Sequence, residues 1–245
     1  MPRGLLIAAV LLAAGCGGAK HTAAPAAPLW HDCVRANEQH GFVRTADGTK
    51  IAYVETGHGA GGIVFAHGAR GDLCDFIDLL RDKRLAGFRL LAFDYRGNGL
   101  SDYPAYPKSV RYRQDVIAVV DKLHHDGARK VAVLGLSRGG PAAIAAAAQL
   151  YPKRAQAAIA LASIDELVGD DAIAAVHTSR VPLLVLVNRH DLLGLAPTAR
   201  AIYRASISPD KQLVYAPGQA HADVLAYAPV WNAFVAFLQR ELRDH

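Results

Sequence analysis

Val131-Ala132-Val133-Leu134-Gly135-Leu136-Ser137-Arg138-Gly139-Gly140-Pro141 is the stretch on which the fold turns. Its first four residues are an uninterrupted apolar run, as expected of a strand covered on both faces. The alanine-rich residues 139–148 read as a helix. Gly135-Leu136-Ser137-Arg138-Gly139 therefore places a serine between two glycines at a strand-to-helix junction. Such a junction predicts a tight turn, with Ser137 held in a strained backbone conformation and its Oγ lifted above the sheet. The glycines are expected because a Cβ at either position would meet the neighbouring strand or helix. The pentapeptide alone is a common pattern, and its context gives it weight.

Working outward, similar apolar runs occupy 63–66, 90–93, 157–161, 181–187 and 212–215. Helical patterns at 72–84, 108–126, 139–150, 196–206 and 230–243 separate them, which implies right-handed parallel crossovers. Upstream, the alternating runs 42–45 and 50–55 flank Asp47-Gly48, a hairpin signal. The fold class is α/β: a doubly wound, mostly parallel sheet with an antiparallel N-terminal hairpin. Residues 162–180 suffice for one crossover and are too few for an inserted cap domain.

The N-terminal residues read differently. Met1-Pro2-Arg3-Gly4 is a short basic stretch, followed by an apolar run at 5–14 that is too short to span a bilayer. Residues 1–15 are therefore expected to be an export signal. Ala13-Ala14-Gly15-Cys16 is similar to a bacterial lipobox, with Cys16 the lipidation site. Residues 16–40 would form a tether and N-terminal segment, and 41–245 a single domain. In an oxidising compartment Cys33 and Cys74 are candidates for a disulfide, with two buried free thiols as the alternative. The formal charge of +5 comes from scattered basic residues, so nucleic-acid binding is not expected. No metal-ligand spacing occurs, and neither a metal nor a cofactor is expected.

His67-Gly68, the stretch Phe93-Asp94-Tyr95-Arg96-Gly97-Asn98-Gly99-Leu100-Ser101, the turn at Ser137, Asp191 and His221 together resemble the α/β-hydrolase fold family across 41–245. The resemblance implies a catalytic triad: Ser137 as nucleophile, His221 as base, and Asp191 as the acid that orients the imidazole. Asp165, after the preceding strand, and Asp223, two residues from His221, are rivals for the acid. An oxyanion hole would take backbone N–H groups from Ala69 and Arg138, with His67 and Gly68 shaping the first turn. Asp94 is expected to anchor its turn through Arg96 and nearby backbone.

A serine at the elbow points to ester, thioester or amide substrates, whereas relatives that cleave carbon–halogen bonds or epoxides carry aspartate there. The resemblance thus implies a carboxylesterase acting on a small-molecule ester, with an open site bordered by loops 70–75, 103–108 and 192–197, anchored to a membrane through Cys16. A peptidase or acyltransferase could use the same triad, and a non-catalytic binding protein could use the same scaffold.

Overall fold

The computed structural model describes residues 30–103 and 111–243. The proposed signal 1–15, Cys16, most of the tether and most of the loop 103–108 lie outside the described residues. The chain forms β1 (Gln39–Arg44), β2 (Lys50–Gly57), β3 (Gly61–Ala66), α1 (Ile77–Leu80), β4 (Phe88–Phe93), α2 (Arg113–His125), β5 (Lys130–Leu136) and α3 (Gly140–Leu150). Then follow β6 (Ala157–Leu161), β7 (Glu166–Leu167), β8 (Asp170–Asp171), α4 (Ala172–Thr178), β9 (Leu183–Asn188), α5 (Ala196–Ala205), β10 (Lys211–Ala216) and α6 (Ala228–Leu242).

Eight strands make one sheet in the order β1-β2-β4-β3-β5-β6-β9-β10. β1 and β2 are antiparallel to their neighbours, and the strands from β4 to β10 run parallel. This is the doubly wound sheet with an N-terminal hairpin that the sequence predicts, without a cap: 162–182 hold only the β7–β8 ribbon and α4. Side chains along each strand alternate between two cores. Val64 and Val133 face the layer of α2, α3, α4 and α5, whereas Ile63, Phe65 and Leu134 face α1 and α6. Burial on both faces is why the central strands are apolar without interruption.

The helix expected at 72–84 is instead a 3-10 turn at Leu73–Phe76, the single turn α1, and a second 3-10 turn at Lys83–Leu85. Asp72 accepts from Cys74 N–H and Asp82 from Arg84 N–H, so each aspartate starts a new local turn in competition with a continuous helix.

The boundary drawn at Gly41 falls inside β1, and the preceding residues pack on the domain. Cys33 and Cys74 are joined by a disulfide, with Cα atoms 5.9 Å apart. Glu38 receives both Arg81 Nε and Nη2, at 2.7 and 2.9 Å, and the guanidinium holds its carboxyl below the usual range. Trp30 packs edge-on against His40 and lies tilted on Phe42. Among the described residues no helix is long and apolar enough to cross a membrane.

Candidate active site

β5 ends at Leu136, and Ser137 follows with φ +51 in a one-turn 3-10 segment that runs into α3. A left-handed backbone at a non-glycine residue costs on the order of 1–3 kcal/mol, so the surrounding packing must impose it. The packing is visible at Gly139, where a Cβ would lie 2.3 Å from the His67 carbonyl oxygen, and at Gly135, where it would lie 2.6 Å from Ala143 Cβ. Only glycine lets strand, turn and helix approach this closely.

Asp191 and His221 come from the loops after β9 and β10, which are adjacent parallel strands. Leu192 N–H donates to Gln219 O at 3.0 Å, and Asn188 Nδ2 donates to Ala220 O, so the two loops are stitched together. Within that frame Asp191 Oδ2 lies 3.0 Å from His221 Nδ1, while Oδ1 accepts Leu193 N–H at 2.9 Å. The carboxylate can only accept, so Nδ1 carries the hydrogen. His221 Nε2 is buried and has no hydrogen-bond partner among the described residues, Ser137 Oγ included. The rivals for the acid go elsewhere. Among the described residues the Asp165 carboxylate accepts from Glu166 N–H, and Asp223 opens the turn Asp223–Ala226 without bonding His221.

The turn after β3 meets the serine directly, for a Cβ on Gly68 would sit 3.5 Å from Ser137 Cβ. Ala69 and Arg138 both line a small cavity of about 70 Å³, which His67, Tyr95 and Tyr112 also border. A serine held at this turn, and an aspartate–histidine pair with a partnerless ring nitrogen, are the groups that acyl transfer employs.

Residues 57–168 match the family described as Hydrolase_4, serine aminopeptidase, S33. A non-heme chloroperoxidase of Streptomyces lividans is 32% identical over 126 residues, which are 51% of this chain and 45% of that protein. The match thus spans under half of that relative's length. An esterase of Pyrococcus furiosus superposes with a TM-score of 0.72 at 16% identity, over 84% of this chain and 93% of its own. The enol-lactonase of Burkholderia xenovorans gives 0.68 at 17% identity, over 82% and 100%. The chain has the α/β-hydrolase fold.

In this fold the segment after β4 is wired differently from the expectation. Asp94 does not bond Arg96. Its fully buried carboxylate accepts Leu73 N–H and Leu100 N–H, both at 2.8 Å, and meets His31 Nε2 at 2.7 Å. Arg96 turns instead to α2, where Asp115 receives its Nε at 2.7 Å and its backbone N–H at 3.0 Å. Neither His31 nor Asp115 stands out in the sequence. The one available signal is an aspartate beside the apolar face of α2, at Asp115-Val116.

His67 has two neighbours that fix its tautomer. Tyr95 N–H can only donate, to Nε2 at 3.0 Å, and the Gly68 carbonyl can only accept, from Nδ1–H at 2.8 Å. Because the peptide is trans, a Gly68 carbonyl turned to His67 sends Ala69 N–H to the opposite side. Burial holds the His67 imidazole below its ordinary value of 6.5, against the opposing pull of the Gly68 bond. Below that value the unfolded chain takes up the proton before the folded one, so this contribution to stability is present above about pH 6.5 and lost as the pH falls. In urea unfolding, stability is expected to drop more between about pH 7.5 and about pH 5.5 in the wild type than in His67→Asn. Equal drops would contradict a neutral His67.

Proposed function

We propose that this α/β-hydrolase is a cofactor-independent serine hydrolase that cleaves carboxylic esters of small, exposed acyl groups. The observation that carries the reading is the left-handed Ser137 at the end of β5, beside Gly68, together with the Asp191–His221 pair whose Nε2 is free to take a proton. Ser137 Oγ attacks the ester carbonyl as its proton passes to His221 Nε2, and Asp191 stabilises the imidazolium and holds its orientation. Ala69 N–H and Arg138 N–H stabilise the negative oxygen, helped by the N-terminal end of α3. The imidazolium returns the proton to the leaving alkoxide, which departs as an alcohol. Water, deprotonated by His221, then cleaves the acyl-Ser137 ester to the carboxylic acid and regenerates the serine. The same reading makes 1–15 an export signal and Cys16 the lipid-bearing residue that ties the enzyme to a bacterial membrane.

The absence of a cap sets the expected substrate range. Assayed with p-nitrophenyl esters of increasing chain length, kcat/KM is expected to peak at short acyl chains, within about four carbons, and to fall at least about tenfold for long ones. A folded protein that cleaves none of them would overturn the reading in favour of a binding protein on this scaffold.

A further inference from the structure

The disulfide between Cys33 and Cys74 sits among groups that a structural cross-link does not need. A ring nitrogen of His31, a carboxylate oxygen of Asp72 and Cys74 Sγ lie within 4.8 Å of one another, and all three residues are half-buried. The groups come in two short pairs, His31-Asp32-Cys33 and Asp72-Leu73-Cys74, which the cross-link joins over a sequence separation of 41. That separation is why neither pair shows a metal-ligand spacing in the sequence.

Two of the donors are already aimed. His31 Nε2 meets the buried Asp94 carboxylate at 2.7 Å, and because that carboxylate accepts, Nε2 carries the hydrogen. The lone pair of the neutral ring is then on Nδ1, 3.5 Å from Asp72 Oδ2. Asp72 Oδ1 accepts Cys74 N–H at 2.8 Å, which leaves Oδ2 facing the imidazole. A histidine whose far nitrogen is held by a carboxylate is the common arrangement of a metal ligand. Bond lengths of about 2.0–2.3 Å in a tetrahedron put ligand atoms roughly 3.3–3.8 Å apart, so closing these groups around an ion takes small shifts. The thiolate is the form of cysteine that binds metals, and the cross-link withholds two of them. The segment does not depend on the cross-link alone for its place. Arg81 Nη2 donates to Cys33 O at 2.6 Å and to Glu38 at 2.9 Å, while Trp30 packs on Phe42.

We propose that reduction of the Cys33–Cys74 disulfide opens a site for one divalent cation of the zinc type, held by His31 Nδ1, Asp72 Oδ2 and the Cys33 and Cys74 thiolates. Two thiolates, an imidazole and a carboxylate suit tetrahedral zinc. A dithiol reductant transfers two electrons and two protons to the S–S bond, giving two thiols and its own disulfide. Binding of the cation then displaces both thiol protons. The ion takes over the tie between the N-terminal segment and the turn Leu73–Phe76, and none of its ligands belongs to the proposed triad.

The test uses the 245-residue chain carrying Cys16→Ser, so that Cys33 and Cys74 supply its only thiols. A phosphine reduces the disulfide, becoming the phosphine oxide with water as the source of oxygen and protons, and cobalt(II) is titrated in as a coloured stand-in for zinc. The reduced protein is expected to bind one equivalent, with thiolate-to-cobalt charge transfer in the near ultraviolet and the visible bands of tetrahedral cobalt. The oxidised protein is expected to show no such bands. His31→Ala and Asp72→Ala keep both thiols and are each expected to bind cobalt at least about tenfold more weakly. Zinc is expected to raise the unfolding temperature of the reduced protein by at least about 5 °C and to leave the oxidised protein unchanged. Reduced protein without the thiolate–cobalt bands would overturn the proposal even if reduction loosens the segment, because a fitting ion binds and orders it together. Undiminished affinity in both variants would overturn it as well, by assigning the metal to the two sulfurs alone.

Discussion

Ser137→Ala is expected to lower kcat/KM for a short p-nitrophenyl ester by about 10⁴-fold, some 5–6 kcal/mol of lost transition-state stabilisation. The residual rate comes from the oxyanion donors, which the substitution does not touch. The protein should not lose stability with its activity. Ser137 is held at φ +51, a conformation that glycine adopts without strain, so Ser137→Gly should unfold at higher denaturant than wild type, by about 1 kcal/mol, while remaining inactive. Steady-state kinetics with parallel urea unfolding separates the two effects. A Ser137→Ala protein within about tenfold of wild type would remove the serine from the chemistry.

The second large effect lies away from the serine. Arg96 and Asp115 are buried together, their side chains 2% and 0% exposed, with nitrogen and oxygen as close as 2.6 Å. Removing the carboxylate leaves a buried guanidinium with Asp47, itself 44% exposed, as its remaining carboxylate. Breaking one side of such a pair costs about 3–5 kcal/mol, and Asp115→Ala is expected to lose that much in chemical denaturation. Asp47→Ala, at the exposed end, is expected to cost under about 1 kcal/mol. The damage should reach the site as well, because Tyr95, next to Arg96, donates its N–H to His67. An Asp115→Ala protein within about 1 kcal/mol of wild type would show that the pair contributes little.

The parallel sheet and the elbow were legible because each leaves a local mark. Strands buried on both faces read as unbroken apolar runs, and the close approach at Gly135 and Gly139 demands residues without a Cβ. Asp191 and His221 were legible by their places after the last two strands, which the topology makes neighbours. What the residues did not reveal depends on contacts between distant segments. Nothing near Asp94 announces His31, which lies 63 residues away, and nothing near Arg96 announces its pairing with Asp115, 19 residues on in α2. The segment 72–84 failed as a helix for the opposite reason, a local one: Asp72 and Asp82 prefer to cap short turns. Of the two fates open to Cys33 and Cys74, pairing required a distance that only the folded N-terminal segment supplies.

The most direct test of a serine nucleophile is covalent capture. The protein is incubated with a fluorophosphonate, and the adduct is located by peptide mass spectrometry, alongside His221→Ala and Ser137→Ala. The account predicts one phosphonyl group per chain, on the peptide containing Ser137, with labelling strongly slowed in His221→Ala and absent from Ser137→Ala. An unlabelled Ser137 in folded wild-type protein, or an adduct on another residue that persists in Ser137→Ala, would contradict it.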